Sequence, residues 1–331
     1  MQDYLSPTQA GFFLVQWLDF YVFPPEKKPT RTKDKGRLPK TLWARIEWGL
    51  DLFINQRGTG WNWKVSGVPD GVPSRTPKWS FIHHELLKAF MWFVLADLTQ
   101  YPLSSSGPEI QSNLWHETFC RRMIFVFFYP VNSYYLFNLQ HSLVTAATVA
   151  LGVYKPEDCS PIMGKLKNVL TIRDLWSKFW QQLWRRKIGL PFRVLTTYIT
   201  IPRGTLFSKY LQLYFGFFTS AFLHLIGAWN LPPCTRHAIV DQQFFFFLQP
   251  IAITFEDFVI YIGKRAGIKK SWKTNLVGRL WTFSWFMFSL GYICAFMYNA
   301  GLFDSKPMPS MTTAAVKLLS GRVVGDGLKE L

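Results

Sequence analysis

Acid and cysteine are scarce in this chain. Twenty Asp and Glu face 37 Lys and Arg in 331 residues, and the four cysteines, Cys120, Cys159, Cys234 and Cys294, stand far apart with no C-x-x-C pair. That spacing argues against a zinc knuckle and gives no basis for a disulfide framework. Also missing are a P-loop, a G-x-G-x-x-G turn, H-E-x-x-H and the G-x-S-x-G elbow. The nucleotide-cradling, dinucleotide, zinc-protease and serine-nucleophile chemistries therefore lack their scaffolds. His83 and His84 precede Glu85, and His116 precedes Glu117, but neither set lies in an H-x-x-x-H array, so no metal is expected. No basic stretch leads into a small-residue cleavage site at the N-terminus, and insertion into a membrane is expected to rely on the internal segments.

What the chain has in excess is apolar and aromatic. Hydrophobic residues make up 49% and aromatics 18%, with 31 Phe and 15 Trp gathered into blocks. About 20 apolar residues cross the roughly 30 Å hydrocarbon core. On that measure residues 9–23, 81–103, 211–231, 242–262 and 279–303 are expected spans. The block 119–153 is long for one crossing and is divided into an interfacial helix to about Tyr129 and a span from about Ser133. The expected fold class is all-α, a polytopic membrane protein with about six transmembrane helices plus interfacial amphipathic helices. Two segments suit the interface. Residues 41–56 set Leu42, Ile46, Leu50 and Phe53 at helical spacing. In 168–193, Leu175, Trp176, Phe179, Trp180, Leu183 and Trp184 share one helical face, with Lys178, Gln181, Gln182, Arg185 and Arg186 between them.

Three parts follow from this patterning: 1–40, a first span stopped by Pro24 and Pro25 and then a solvated basic loop; 41–303, a membrane domain; and 304–331, a polar, exposed tail. The formal charge of +17 sits between the apolar blocks. The positive-inside rule and anionic headgroups account for it there, so the expected partner is the lipid bilayer and not nucleic acid.

The span 211–231 carries one titratable side chain, His224. An ionisable group at that depth faces the protein interior, a partner or a cavity, and a helix-interface histidine and a functional one are equally open from the residue alone. The basic, Trp-rich segment upstream favours function. A neutral imidazole could take the proton of an attacking hydroxyl, while Lys165, Lys167, Arg173, Lys178, Arg185, Arg186, Lys187 and Arg193 could hold the phosphates of an acyl-coenzyme A. With no acyl-enzyme nucleophile in sight, direct attack is the simpler route. Glu256 and Asp257 lie side by side in the span 242–262 and need partners inside the bundle. Two other classes stay open: a transporter relaying protons through His224, Glu256 and Asp257, although no repeat is visible, and a non-catalytic membrane adaptor.

Four stretches carry a family resemblance. They are RGTGWNWKV at 57–65, SPIMGKLKNVLTIRDLWSKFWQQLWRR at 160–186, FFTSAFLHLIG at 217–227, and the pair FFLQPIAITFEDFV and VGRLWTFSWFMFS. In this order they resemble the wax synthase-like membrane-bound O-acyltransferases, in particular the fungal branch that acetylates terpenoids and other secondary metabolites. The resemblance implies a multi-pass endoplasmic-reticulum enzyme with His224 as catalytic base. It implies acetyl-CoA as co-substrate with no bound cofactor, and a lipophilic alcohol as acceptor, with a long-chain wax-ester synthase as the alternative. It also implies that Trp180 and Trp184 shape the acyl-CoA tunnel, with Arg185, Arg186, Lys178 and Arg173 as further donor-binding candidates. The chain departs from the pattern at Arg185, where the family commonly has His or Asn; an Arg there cannot act as a base. Relatives usually carry additional spans N-terminal to the matched region.

Overall fold

A computed structural model of the chain describes residues 2–23, 27–34, 37–105, 113–180, 182–202, 204–303 and 310–319. Their regular structure is helical; no strand occurs among the described residues, only an isolated bridge between Arg31 and Trp61. In chain order the helices are α1 (Gln2–Trp17), α2 (Leu42–Ile54), α3 (Lys78–Ser105), α4 (Phe119–Ala150), α5 (Ile172–Asp174), α6 (Arg185–Ile188), α7 (Leu190–Tyr198), α8 (Leu206–Trp229), α9 (Ile239–Arg265), α10 (Trp272–Asn299) and α11 (Met311–Leu319).

The helix ends follow from local chemistry. Hydroxyls of Thr41, Thr118, Thr205 and Ser271 accept the free amides at the starts of α2, α4, α8 and α10. At the far ends of α9 and α10, Gly267 and Gly301 take positive φ, which lets the next amides reach back to the Gly263 and Met297 carbonyls.

Three helices among the described residues are long and apolar enough to cross a bilayer: α8, α9 with the turn before it (Thr235–Arg265), and α10. Neighbours in the bundle run α1, α8, α9, α10, α4, α3, with α11 against α3. The largest core cluster lies where α1, α4, α8, α9 and α10 meet, around Tyr4, Phe125, Phe245, Phe296 and Tyr298. Residues 42–54 of the expected interfacial segment form the helix α2, on which Leu42, Trp43, Ile46 and Leu50 are exposed.

The structure corrects several expectations. α4 is one unbroken helix through Pro130, with no division near Ser133. Asn132 donates to the Ala96 carbonyl and to Thr99 of α3, and this docking supports the stretch where the proline removes a helical hydrogen bond. The segment 168–193 is not one amphipathic helix. It is α5 continuing into a π-turn (Leu175–Phe179), an extended Trp180, and then α6 and α7. Its backbone finds tertiary partners instead: Glu256 accepts the Ile172 amide, Phe179 O accepts from Gly164, and Gln182 Nε2 donates to the carbonyls of Trp176 and Trp180. The basic loop is not wholly solvated, since Arg31 is buried and paired with Asp34 at 2.7 Å and Glu47 at 3.0 Å; Pro24 and Pro25, assigned as the stop of the first span, lie outside the described residues. The tail is not all appendage: Thr312 bonds Asp97 of α3 through its amide and its hydroxyl, both at 2.7 Å. Residues 304–309 and 320–331 of that tail lie outside the described residues.

α1 crosses α8 at Gly227, where a β-carbon would collide with Thr8 Oγ1 and the Tyr4 carbonyl. Replacing Gly227 by Val is expected to force the two helices apart and to cost about 1–3 kcal/mol, as overpacking does. The check is thermal unfolding in detergent, with a lowered midpoint expected and a wild-type midpoint contradicting the close crossing.

Candidate active site

His224 sits half-buried on α8, and its neighbours come from two other helices. The Tyr4 hydroxyl of α1 lies 2.7 Å from Nδ1, and Gln242 Nε2 of α9 donates to the same phenol oxygen at 2.9 Å. Phe246 stacks on the ring with centroids 4.8 Å apart, while Phe12 meets it edge-on at 6.1 Å. Nε2 of His224 has no hydrogen-bond partner among the described residues. An imidazole held by one nitrogen and open at the other can exchange a proton there, given an acceptor hydroxyl in reach.

The donor-binding candidates divide. Trp184 stacks on Phe12 at 4.3 Å, so one ring separates it from His224. Trp180 instead turns to Phe137 of α4. Arg185 Nη1 donates to the carbonyls of Ser66 and Ser177 at 2.9 Å and to Gln182 Oε1 at 3.1 Å, a clamp between two loops. Arg186 and Arg193 both reach the fully buried Asp19, and the Arg186 guanidinium also lies over Phe20 and Trp63. Lys178 pairs with Asp174 and Arg173 with Asp257, each at 2.5 Å, with Lys178 60% and Arg173 42% exposed at the side chain.

Glu256 and Asp257 both hold the Trp-rich segment to α9. Glu256 Oε2 accepts from the Ile172 amide at 2.7 Å and from Trp281 Nε1 at 3.1 Å. Asp257 takes Arg173 and the Tyr210 hydroxyl. The two N-terminal motifs also meet: Arg57 donates to the Ser160 and Pro161 carbonyls at 2.6 Å, and burial pushes its guanidinium down to about 10.

Sequence reasoning missed Tyr4, Gln242 and Gln249. Gln249 Oε1 accepts from both Trp176 Nε1 at 3.3 Å and Trp285 Nε1 at 3.2 Å. A signal existed for the two glutamines. Gln242, Gln249 and Glu256 recur every seven residues, hence on one face of α9, and all three are buried. Polar side chains so placed in an apolar helix mark its interior seam. Tyr4 carried no such signal.

Lys187 is 2% exposed, its ammonium 4.3 Å from the Trp184 ring centroid and bonded to Gln56 Oε1, with no carboxylate paired to it among the described residues. Burial pushes its pKa from 10.5 down to about 7. Between those two values the unfolded chain holds the proton that the folded chain releases, so stability rises with pH across that window. Lys187→Met is expected to raise the unfolding midpoint near neutral pH and to flatten this rise; melts of both proteins over the window check it, and an unchanged slope contradicts it.

Residues 159–249, from the Ser160 loop through His224 to Gln249, match the membrane bound O-acyl transferase family. The chain is 30% identical to an acetyltransferase, ple2, of Rhodocybe pseudopiperita over 261 residues, covering 77% of this chain and 67% of the relative. It is 27% identical to the acetyltransferase eriL of Hericium erinaceus, over 81% of this chain and 71% of that one. Identity to the O-Mevalon transferase macI of Penicillium terrestre is 26%, over 86% and 71% of the two chains. No solved structure matches. These likenesses favour an enzyme over a transporter or an inert adaptor, and on them the chain belongs to the membrane bound O-acyl transferase family.

Proposed function

We propose that the protein is a multi-pass O-acetyltransferase of the endoplasmic reticulum that moves acetyl from acetyl-CoA to a hydroxyl of a lipophilic secondary metabolite, a terpenoid or meroterpenoid. The similar proteins are acetyltransferases and O-Mevalon transferases by name, which supports transfer of a small group over long-chain wax-ester synthesis. One observation carries the mechanism: the His224 ring is anchored through Nδ1 while Nε2 is open. In this reading the acceptor hydroxyl attacks the thioester carbonyl and gives its proton to Nε2. The new C–O bond forms, the C–S bond breaks, and the imidazolium returns the proton to the departing thiolate, leaving an ester and free coenzyme A. General base catalysis of this kind supplies about 10² to 10⁴ in rate.

The donor would pass along the Trp-rich segment, with Trp180 and Trp184 lining its way. Lys178 and Arg173, more exposed at the side chain than Arg186 and Arg193, would exchange their carboxylate partners for phosphates. Arg185 and Arg186 would hold the walls, and Glu256 and Asp257 would fix the segment on α9. The six crossings would be α1, α3, α4, α8, α9 and α10. Residues 41–303 would form the acyltransferase domain, with 1–40 contributing α1 to its site and 304–331 as the tail.

His224→Ala is expected to lower acetyl transfer by at least about 10²-fold with expression and membrane insertion intact. Chromatography of products from microsomes given acetyl-CoA or palmitoyl-CoA checks both points. Retained turnover in the variant contradicts the base, and a palmitoyl ester as main product contradicts acetyl specificity.

A further inference from the structure

We propose that Gln16 and Trp63 bind a secondary amide of the donor's pantetheine arm, which makes the RGTGWNWKV motif part of a positioning site for acetyl-CoA; this rests on acetyl-CoA being the donor. The end of α1, the loop after α2 and the start of α6 enclose a narrow cleft, and both side chains line it. Each brings to it a buried polar atom with no hydrogen-bond partner among the described residues, the carbonyl oxygen Oε1 of Gln16 and the indole nitrogen Nε1 of Trp63. Such atoms are costly inside a protein and call for an occupant. The Gln16 amide has one orientation, because its Nε2 already donates to the Leu52 carbonyl at 3.2 Å and the Phe53 carbonyl at 2.7 Å. Turning it over would set Oε1 against two carbonyls. The indole is held as firmly. A β-carbon at Gly58 would collide with its ring, Phe20 packs beside it with centroids 5.5 Å apart, and the Arg186 guanidinium lies over it at 5.0 Å. The cleft therefore offers one fixed donor and one fixed acceptor.

A secondary amide is the complement of that pair, since its C=O accepts from the Trp63 indole and its N–H donates to Gln16 Oε1. A carboxylate or a fully ionised phosphate would satisfy the indole but set another acceptor against Oε1. The place agrees with the chemistry. Tyr4 and Phe12 both touch His224, and α1 advances about 1.5 Å per residue, so Gln16 lies roughly 12 Å along the helix from their midpoint. In coenzyme A the amide nearer the phosphates is about seven bonds from the sulfur, roughly 9 Å of extended chain. With the thioester carbonyl against the imidazole, that length covers the span. Arg186 and Lys187 line the same cleft and Arg193 reaches Asp19 there, three cationic side chains for one carboxylate, which suits an anionic donor. The Lys187 ammonium bonds Gln56 Oε1 across the cleft, and a swing of its flexible stem admits a chain one methylene thick.

The test uses the full chain in lipid nanodiscs with farnesol as the probe alcohol and two donors. One is acetyl-CoA; the other is an analogue in which an ester oxygen replaces the amide N–H nearer the phosphates. The wild type is expected to show a KM about 3- to 10-fold higher for the analogue, the range of one neutral hydrogen bond, with kcat changed less than about twofold. Trp63→Phe keeps a ring beside Gly58 and removes the N–H. Its KM for acetyl-CoA is expected to rise by a similar factor, about 3- to 10-fold, while KM for farnesol stays within about twofold. A Trp63 that only packs would move kcat and both KM values together, or none of them. Binding is also read without turnover, in protein carrying ¹⁵N-labelled tryptophan. The Trp63 indole signal, assigned by its loss in Trp63→Phe, is expected to move downfield when coenzyme A is added. Equal KM values for the two donors in the wild type overturn the proposal. So does an indole signal that coenzyme A leaves in place, as a cleft filled only by water would give. If Trp63→Phe does not fold, the donor comparison in the wild type decides. A wild type that transfers no acetyl, while coenzyme A still moves the indole, would instead overturn the acetyltransferase reading and leave the amide site standing.

Discussion

The crossing of α1 over α8 at Gly227 is the contact on which the rest of the structure depends. Only a residue without a side chain lets the two backbones approach so closely there, and the approach places two polar groups of α1 and one just past its end. Tyr4 reaches His224; Gln16 donates to the carbonyls of Leu52 and Phe53 at the end of α2; and beyond the helix end, Asp19 receives Arg186 and Arg193. A polar group inside an apolar bundle is costly unless paired. These three pairings therefore decide how the first helix sits, and with it the Trp-rich segment and the candidate base.

α9 does the complementary task through one polar seam. Gln242 serves Tyr4, Gln249 receives two indole N–H groups, and Glu256 receives the Ile172 amide and a third indole. The seam runs from the His224 ring to the start of the Trp-rich segment, so the same helix face that holds the imidazole also shapes the wall along which a donor would arrive. Close backbone passages accompany it: a β-carbon at Gly164 would strike the Lys178 carbonyl, and one at Gly278 the Leu170 carbonyl. The 160–186 motif is thus built by tertiary contacts and not by its own periodicity.

This explains what could be foreseen. The all-α class, the apolar helices α8, α9 and α10, the helix α2 and the ordered motifs were legible because each is local, a matter of apolar length, spacing or capping residues. The shape of 168–193 was not, since Trp and Leu at helical spacing describe a face whether or not the backbone stays helical, and the bonds that unwind it come from Glu256 and Gly164. His224 stood out as a lone titratable group in a span. Its partner Tyr4 lies 220 residues away in sequence and could not be inferred from it. Arg185 and Arg186 were donor-binding candidates on sequence; in the fold one clamps carbonyls and the other meets the buried Asp19.

The central claim is that the open nitrogen of His224 faces the thioester. Cryo-electron microscopy of the nanodisc-embedded protein bound to acetyl-CoA tests it most directly. The account predicts density for the thioester carbonyl beside Nε2, on the side of the ring away from Tyr4, with the coenzyme passing Trp184. A thioester lodged elsewhere, with the His224 ring against lipid, would contradict it.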